Sequence, residues 1–385
     1  MRDIFIIGSK GIPAEYGGFE TFVEQLTRHK REKGIRYHVA CMAEKGGEFE
    51  YQDAHCFRIR VNKIGSARAV WYDLAAFLYC LRYIRKHRCK APVVYVLACR
   101  IGPLTGLLKK RLKKMGGTLL VNPDGHEWMR AKWSRSIQTY WKLSEQLMVK
   151  HADLLVCDSK NMQHYIRSTY RLYQPETIFI AYGADVQASS LSDTDETLLA
   201  WYQKWDLTPG EYFLVVGRFV PENNYETMLR EFMCAKTDKK LAVISNVEEN
   251  PFYYKLKEKT RFEQDPRIVF CQTVYDEQLL KKIRENACAY LHGHEVGGTN
   301  PSLLEALGST QVNLLLNVGF NQEVGKAAAL YWTKEEGSLS ALIEEAAALD
   351  KEERARLGSL AKQRILTAYS HDKIVGAYEE LFRRI

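Results

Sequence analysis

The sequence predicts an α/β protein built as two doubly wound, largely parallel sheets, and three observations predict it. Short β-branched apolar runs alternate with helix-length amphipathic segments along the chain. The alternation breaks at the Ser/Asp-rich stretch 188–196, which reads as a linker, and then restarts. The length of 385 residues suits two domains at ~150 residues or more each. Hydrophobic residues at 46% and charged residues at 26% exclude a disordered or fibrous chain.

In chain order, Ile4–Gly8, Tyr37–Cys41, Val93–Ala98, Thr118–Val121 and Leu154–Cys157 read as buried parallel strands, each followed by a helix-length segment. In the second half, Tyr212–Gly217, Lys240–Ser245, Arg267–Cys271, Ala289–His292 and Val312–Leu316 repeat the pattern. From Lys351 onward the chain is helical in pattern. The run Ile4–Ile7 is too short for a signal peptide. The apolar stretches Ala69–Leu81 and Pro92–Leu108 are broken by Asp73 and Arg100, short of the ~18 residues that span a bilayer. Nine cysteines without a C-x-x-C pair read as reduced, buried thiols rather than a disulfide framework or zinc site. These features predict a cytoplasmic protein, free or held to a membrane only at its surface.

The net charge of +8 conceals an asymmetry. Residues 1–185 carry 31 Lys+Arg against 17 Asp+Glu, and the remainder 24 against 30. A basic first half implies an anionic partner: nucleic acid, a membrane surface or a phosphorylated substrate. Three clusters supply the charge. Lys109, Lys110, Arg111, Lys113 and Lys114 surround an apolar face formed by Leu104, Leu107, Leu108, Leu112 and Met115. Arg82, Arg85, Lys86, Arg88 and Lys90 form another. Trp128, Trp133, Tyr140 and Trp141 alternate with Arg130, Lys132, Arg135 and Lys142. Basic residues among aromatics suit a membrane interface; the plainer reading is solvated helix faces.

Chemistry is expected in loops at the carboxyl ends of strands, in the cleft between the halves. The first strand ends at Gly8-Ser9-Lys10-Gly11, and a helix opens at Gly17-Gly18, where bare N–H groups suit a phosphate or a sugar hydroxyl. The alternative is glycines that serve only a tight turn. After Thr118–Val121 comes Asn122-Pro123-Asp124-Gly125-His126-Glu127-Trp128. Here Asp124, His126 or Glu127 is a candidate base or substrate orienter, against a bland role in capping the next helix. Arg218, just past a strand, suits a diphosphate through paired N–H donors, although a surface ion pair would explain it as well. The segment from His292 to Glu305 is the most informative. Gly297, Gly298 and Thr299 precede Asn300, a good N-cap, and Pro301, suited to a first helical position. Glu305, one turn further in, would repel phosphate but accept hydrogen bonds from a ribose diol. His292 and His294 are spaced like metal ligands but lack a carboxylate pair nearby, so they read as structural. Asp193-Thr194-Asp195 lies in the linker and reads as a solvated acidic patch.

On these residues the chain resembles retaining glycosyltransferases of the GT-B fold, in glycosyltransferase family 4, over nearly its whole length. The strings GIPAEYGGFETF, NPDGHEW, GRFVPENNYE and GGTNPSLLEA resemble more narrowly the bacterial dTDP-rhamnose-dependent β-1,4-rhamnosyltransferases of cell-wall and capsular polysaccharide synthesis. The resemblance implies an acceptor-binding, membrane-facing domain over 1–187 and a nucleotide-sugar domain over 188–367. It also implies a final helix, about 368–385, that packs back on the first domain. It implies donor contacts from Gly17, Gly18, Arg218, Asn223, His294, Gly297, Gly298, Thr299, Asn300 and Glu305, with Arg218 on the diphosphate and Glu305 on the ribose. Asp124, His126 and Glu127 stand where acceptor-activating or sugar-binding groups are found. Lys109, Lys110, Arg111, Lys113, Lys114, Trp128 and Trp133 would meet the membrane and an undecaprenyl-diphosphate-linked acceptor. No metal or other cofactor is implied. Two departures stand out: Asn223 replaces a usual Lys, and Gly297 replaces a usual Glu. Two rival classes predict other behaviour. An NAD-type oxidoreductase would carry G-x-G-x-x-G after the first strand, and this chain does not. A nucleic-acid-binding protein would show duplex affinity with a steep salt slope.

Overall fold

The structure is a computed structural model that describes residues 1–14, 17–61, 65–130 and 133–385. The chain divides into two compact units, Met1–Gly183 with His371–Ile385, and Ala184–Ser370. The sequence reading put these divisions at 187/188 and 367/368.

In the first unit the described residues form an eight-stranded sheet. Its strands are β1 (Arg2–Ile7), β2 (Ile35–Ala43), β3 (Gly47–Tyr51), β4 (Ala54–Arg60), β5 (Val93–Leu97), β6 (Thr118–Asn122), β7 (Leu154–Cys157) and β8 (Thr177–Phe179). The order is β3-β4-β2-β1-β5-β6-β7-β8, parallel except for β3 against β4. The five expected strands are present; β3, β4 and β8 were not anticipated. β3 is an edge strand, and its Glu48 and Glu50 break up the apolar signal while guarding the open edge. Phe5, Ile7, Val94, Val96, Leu119 and Val121 form one core with the helices Arg68–His87, Gly102–Lys113 and Arg135–His151. On a second core the helix Gly18–Arg28 meets the last helix, His371–Arg384, through Phe22 and Tyr378, whose rings lie 5.1 Å apart. Glu379 of that last helix accepts bonds of 2.8 and 3.0 Å from the Arg31 and Glu32 amides.

In the second unit the described strands are β9 (Tyr212–Val216), β10 (Lys240–Ile244), β11 (Ile268–Cys271), β12 (Ala289–His292), β13 (Asn313–Leu316) and β14 (Leu330–Trp332). They form one parallel sheet in the order β11-β10-β9-β12-β13-β14. The crossover at β9 and β12 is the switch point at which such sheets bind ligands.

The linker reading of 188–196 is corrected by its contacts. Ser189 donates to the Gln278 carbonyl at 2.7 Å, Asp193 pairs with Lys282 at 2.8 Å, and Asp195 caps the helix Glu196–Trp205. Polar composition here reflects capping and docking onto the second unit, not a free tether. Among the described residues no helix is long and apolar enough to cross a membrane.

Candidate functional site

In the first unit the candidate residues collect where β1, β5 and β6 end. Gly8 has φ of 100°, and a Cβ there would lie 2.1 Å from the Leu97 carbonyl oxygen, so only glycine lets the two strand exits approach. The Gly8 carbonyl accepts a 2.7 Å bond from Arg100 Nη1, which also lies 3.2 Å from Asp73 Oδ2. Asp73 is fully buried, and burial lifts its carboxyl to about 6 although Arg100 pulls the other way. Against the opposing effect of burial, the charges of Asp73 and Asp124 raise the Arg100 guanidinium.

At the Gly17-Gly18 helix start, Glu20 Oε1 accepts the Lys10 amide at 2.6 Å, and a Cβ on Gly17 would meet Glu20 Oε2 at 2.0 Å. A carboxylate therefore already stands beside these glycines. Of the two ligands expected here, the carboxylate suits a sugar hydroxyl better than a phosphate.

Past β6, Asp124 adopts φ of 57° with its amide on Asn122 Oδ1 at 2.8 Å. His126 packs edge-on against Tyr165 at 4.2 Å, and burial lowers its pKa, favouring the neutral ring. Glu127 is engaged: Oε1 accepts from Trp133 Nε1 at 2.8 Å and Oε2 lies 2.5 Å from Arg130 Nε. These contacts brace its own turn. Trp128 lies under Lys142, whose Nζ is 4.3 Å from the ring centroid. Arg100, Asp124, Glu127, Trp128, Trp141 and Glu145 line a small open pocket with room for about one water.

In the second unit the loops after β9 and β12 are tied together. Asn223 Nδ2 donates to the Arg218 carbonyl at 2.7 Å, and its Oδ1 lies 2.8 Å from His294 Nδ1. Asn224 donates to the Gly293 carbonyl at 2.8 Å, and a Cβ on Gly293 would lie 2.4 Å from the Asn223 carbonyl oxygen. Asn321 adds a 3.0 Å bond to the His294 carbonyl. Arg218 itself is exposed. Gly297 has φ of 133°, and Gly298 and Thr299 are buried. Asn300 caps the helix Pro301–Ser309 by accepting the Ser302 amide at 2.9 Å. Glu305 Oε2 lies 2.7 Å from Arg284 Nη2, which orients the carboxylate while leaving it partly exposed. Glu295 is paired with Lys334. His292 is buried, with Nδ1 3.3 Å from the Tyr290 hydroxyl, and burial lowers its pKa to about 3.

Solved structures match this architecture across the whole chain. Sucrose-phosphate synthase from Thermosynechococcus elongatus aligns with a TM-score of 0.80 at 15% identity, over 100% of this chain and 98% of that one. A glycosyltransferase from Rickettsia africae gives 0.74 at 12% identity, over 100% and 98%. The Anabaena protein HepE, solved in complex with UDP, gives 0.70 at 12% identity, over 100% of both chains. The fold is that of the GT-B glycosyltransferases. Residues 1–185 match the model of a domain of unknown function, DUF1972. No curated protein matches the sequence.

Within this GT-B chain, each unit gathers its candidates at the carboxyl edge of its own sheet. The exceptions are the residues assigned to the membrane. Trp128 and Trp133 are half-buried, Trp133 bonded to Glu127 and Trp128 lying under Lys142, and Lys109 pairs with Asp153 at 2.7 Å. Lys110, Arg111, Lys113 and Lys114 are exposed. The exposed large apolar side chains of the region are instead Trp71, Leu104, Leu107, Met129 and Leu143. Glu15, Tyr16 and Lys132 lie outside the described residues. Sequence reasoning missed Arg100 as a site residue. The signal that singled out Arg218, an Arg just past a strand, applies to it equally.

Proposed function

We propose that this chain is a retaining glycosyltransferase that moves L-rhamnose from dTDP-β-L-rhamnose to a GlcNAc or glucose residue on an undecaprenyl-diphosphate-linked acceptor, in bacterial surface polysaccharide synthesis. One observation carries the reading: an exposed Arg218 and a capped, glycine-led helix start follow the two strands, β9 and β12, that flank the switch point of a GT-B second unit. Arg218 and the N–H groups before Asn300 suit a leaving diphosphate, and the Arg284-oriented carboxylate of Glu305 suits a ribose diol. The leaving phosphate takes the acceptor proton, and no metal or other cofactor is required. Asn223, in place of a Lys, supports Arg218 through its backbone instead of adding a charge. Rhamnose and the lipid carrier rest on the sequence resemblance.

A thermal-shift panel of dTDP-, UDP- and GDP-sugars tests the donor, with NAD as control. dTDP-rhamnose is expected to raise the melting temperature most, by the equivalent of about 2.7 kcal/mol at a hundredfold excess over Kd. A shift from UDP-glucose alone would favour a family 4 enzyme with a different donor, a reading supported by the UDP in HepE and the UDP-2-fluoro glucose in the trehalose-6-phosphate structure from E. coli. No shift with any nucleotide sugar would refute both.

The reading includes peripheral attachment to the inner face of the plasma membrane. The helix Gly102–Lys113 supports it, with Leu104 and Leu107 exposed beside Lys110, Arg111 and Lys113. Lys113→Gln with Lys114→Gln is expected to weaken binding to anionic vesicles by about tenfold or more, at ~1 kcal/mol per charge. Cosedimentation reads this directly, and neutral vesicles should show no difference.

A further inference from the structure

We propose that His38 and His55 hold three ring protons between them and form a pH-sensitive latch that ties the edge strand β3 into the first sheet. A row of side chains crosses four strands: Asp3 of β1, His38 of β2, His55 of β4 and Glu48 of β3. His38 Nε2 lies 2.8 Å from Asp3 Oδ1, the two Nδ1 atoms lie 2.9 Å apart, and His55 Nε2 lies 3.2 Å from Glu48 Oε2. Glu48 Oε1 accepts from the Tyr79 hydroxyl, which carries the row on to the helix Arg68–His87. Both histidines are buried, His38 stacked on Phe5 at 4.3 Å and both rings against Tyr83.

The partners fix the number of protons. An ionised carboxylate only accepts, so Asp3 and Glu48 each require an N–H on the ring nitrogen that faces them. Against burial, the His38 bond holds the Asp3 carboxyl below its usual range, and the Tyr79 and His55 bonds do the same for Glu48. Between the two Nδ1 atoms one proton fits: none would oppose two lone pairs, and two would set N–H against N–H. Three protons on two imidazoles make one ring an imidazolium. Burial lowers the pKa of His38 and favours its neutral ring, so the charge falls on His55, beside the half-exposed Glu48. The surrounding groups leave this proton to the pair. Arg36 acts on Asp3 and His38 and bonds Glu50 of β3 at 3.4 Å, while Lys86 acts on Glu48. Burial raises the Tyr79 and Tyr83 hydroxyls, and it raises the Cys89 thiol near Asp3 to about 12. His87 stacks on Tyr83 at 4.1 Å.

When the third proton leaves to solvent, the bare His55 Nε2 faces the Glu48 carboxylate, and the charge that holds β3 is gone. The imidazolium has its partner in the folded chain, so the latch is closed on the acid side of this titration and opens as pH rises through it. An opened β3 bares the edge of β4.

The test uses the full chain with isotope-labelled histidine. Ring-nitrogen NMR between about pH 5 and pH 8 reports which nitrogens carry protons, and His55→Gln assigns the signals. Hydrogen exchange, corrected for its intrinsic pH dependence, reads Gly47–Tyr51. His55 is expected to carry both ring protons at the acid end, and protection of Gly47–Tyr51 to fall about tenfold or more as Nε2 loses its proton. Glu48→Gln alters a half-exposed side chain and removes the accepting charge, so it carries the test even if His55→Gln unfolds; it should flatten that fall. A His55 ring that stays neutral across the range overturns the shared protons. Protection of β3 that ignores the His55 titration, or follows it equally in Glu48→Gln, overturns the latch.

Discussion

Acidification below pH 6.5 is expected to destabilise the second unit through a single histidine. His292 ends β12, is buried, and has the Tyr290 hydroxyl as its polar neighbour, with Nε2 unbonded among the described residues. Burial penalises the imidazolium and lowers its pKa to about 3. In the unfolded chain the same ring titrates near ~6.5. Below that pH the unfolded state binds the proton and the folded state does not. Stability is therefore full above about pH 6.5 and falls with pH by roughly 1.4 kcal/mol per unit until about pH 3. The total is on the order of 5 kcal/mol, comparable to the whole stability of many domains. Urea midpoints of the wild type and His292→Phe between pH 7 and pH 4 check this. The variant should lose most of the slope; parallel slopes would refute the assignment. His38 and His126, also lowered mainly by burial, act in the same direction in the first unit, so the difference between the two proteins is the informative quantity.

Arg218→Ala is expected to reduce transfer by about 10²–10³-fold, the usual effect of removing a preorganised donor from a developing charge. Its unfolding free energy should stay within about half a kcal/mol of the wild type, because the side chain is exposed and makes no ion pair among the described residues. Arg218→Lys should recover only part of the rate, since an ammonium restores charge without the two-pronged geometry. Release of dTDP in the presence of a membrane lipid acceptor measures all three proteins. Full activity in Arg218→Ala would remove this residue from the diphosphate site. Activity restored only by Arg would support paired hydrogen bonding.

The legibility of the site follows the range of the interactions that make it. Asn300 and Pro301 announce a helix start because a cap bonds its own neighbours, and the structure has that bond to Ser302. Glu127 and Asp124 look alike in the chain, three residues apart on one loop. Trp133 and Arg130 engage the first, while the carboxylate oxygens of the second accept no bond among the described residues. Nothing in their local spacing separates them. Trp128 and Trp133 read as a membrane face, but packing turns them inward and leaves Trp71, Leu104 and Leu107 outside. Amphipathic period identifies a face of a helix and does not say which other element covers it.

By itself the sequence determined the alternation of strands and helices, the two-unit α/β class, and the glycine-led helix start after β12. Each depends on local backbone preference and on apolar period, which are written into neighbouring residues. The tertiary structure decided that β3, β8 and β14 complete the sheets, that His371–Arg384 joins the first unit, and that Arg100 is tied to Gly8 and Glu127 to Trp133. It also decided that His292 is dry while Arg218 is wet. Burial and hydrogen-bond partnership are set by residues tens or hundreds of positions away, and the charge and reactivity of a side chain follow from those distant neighbours.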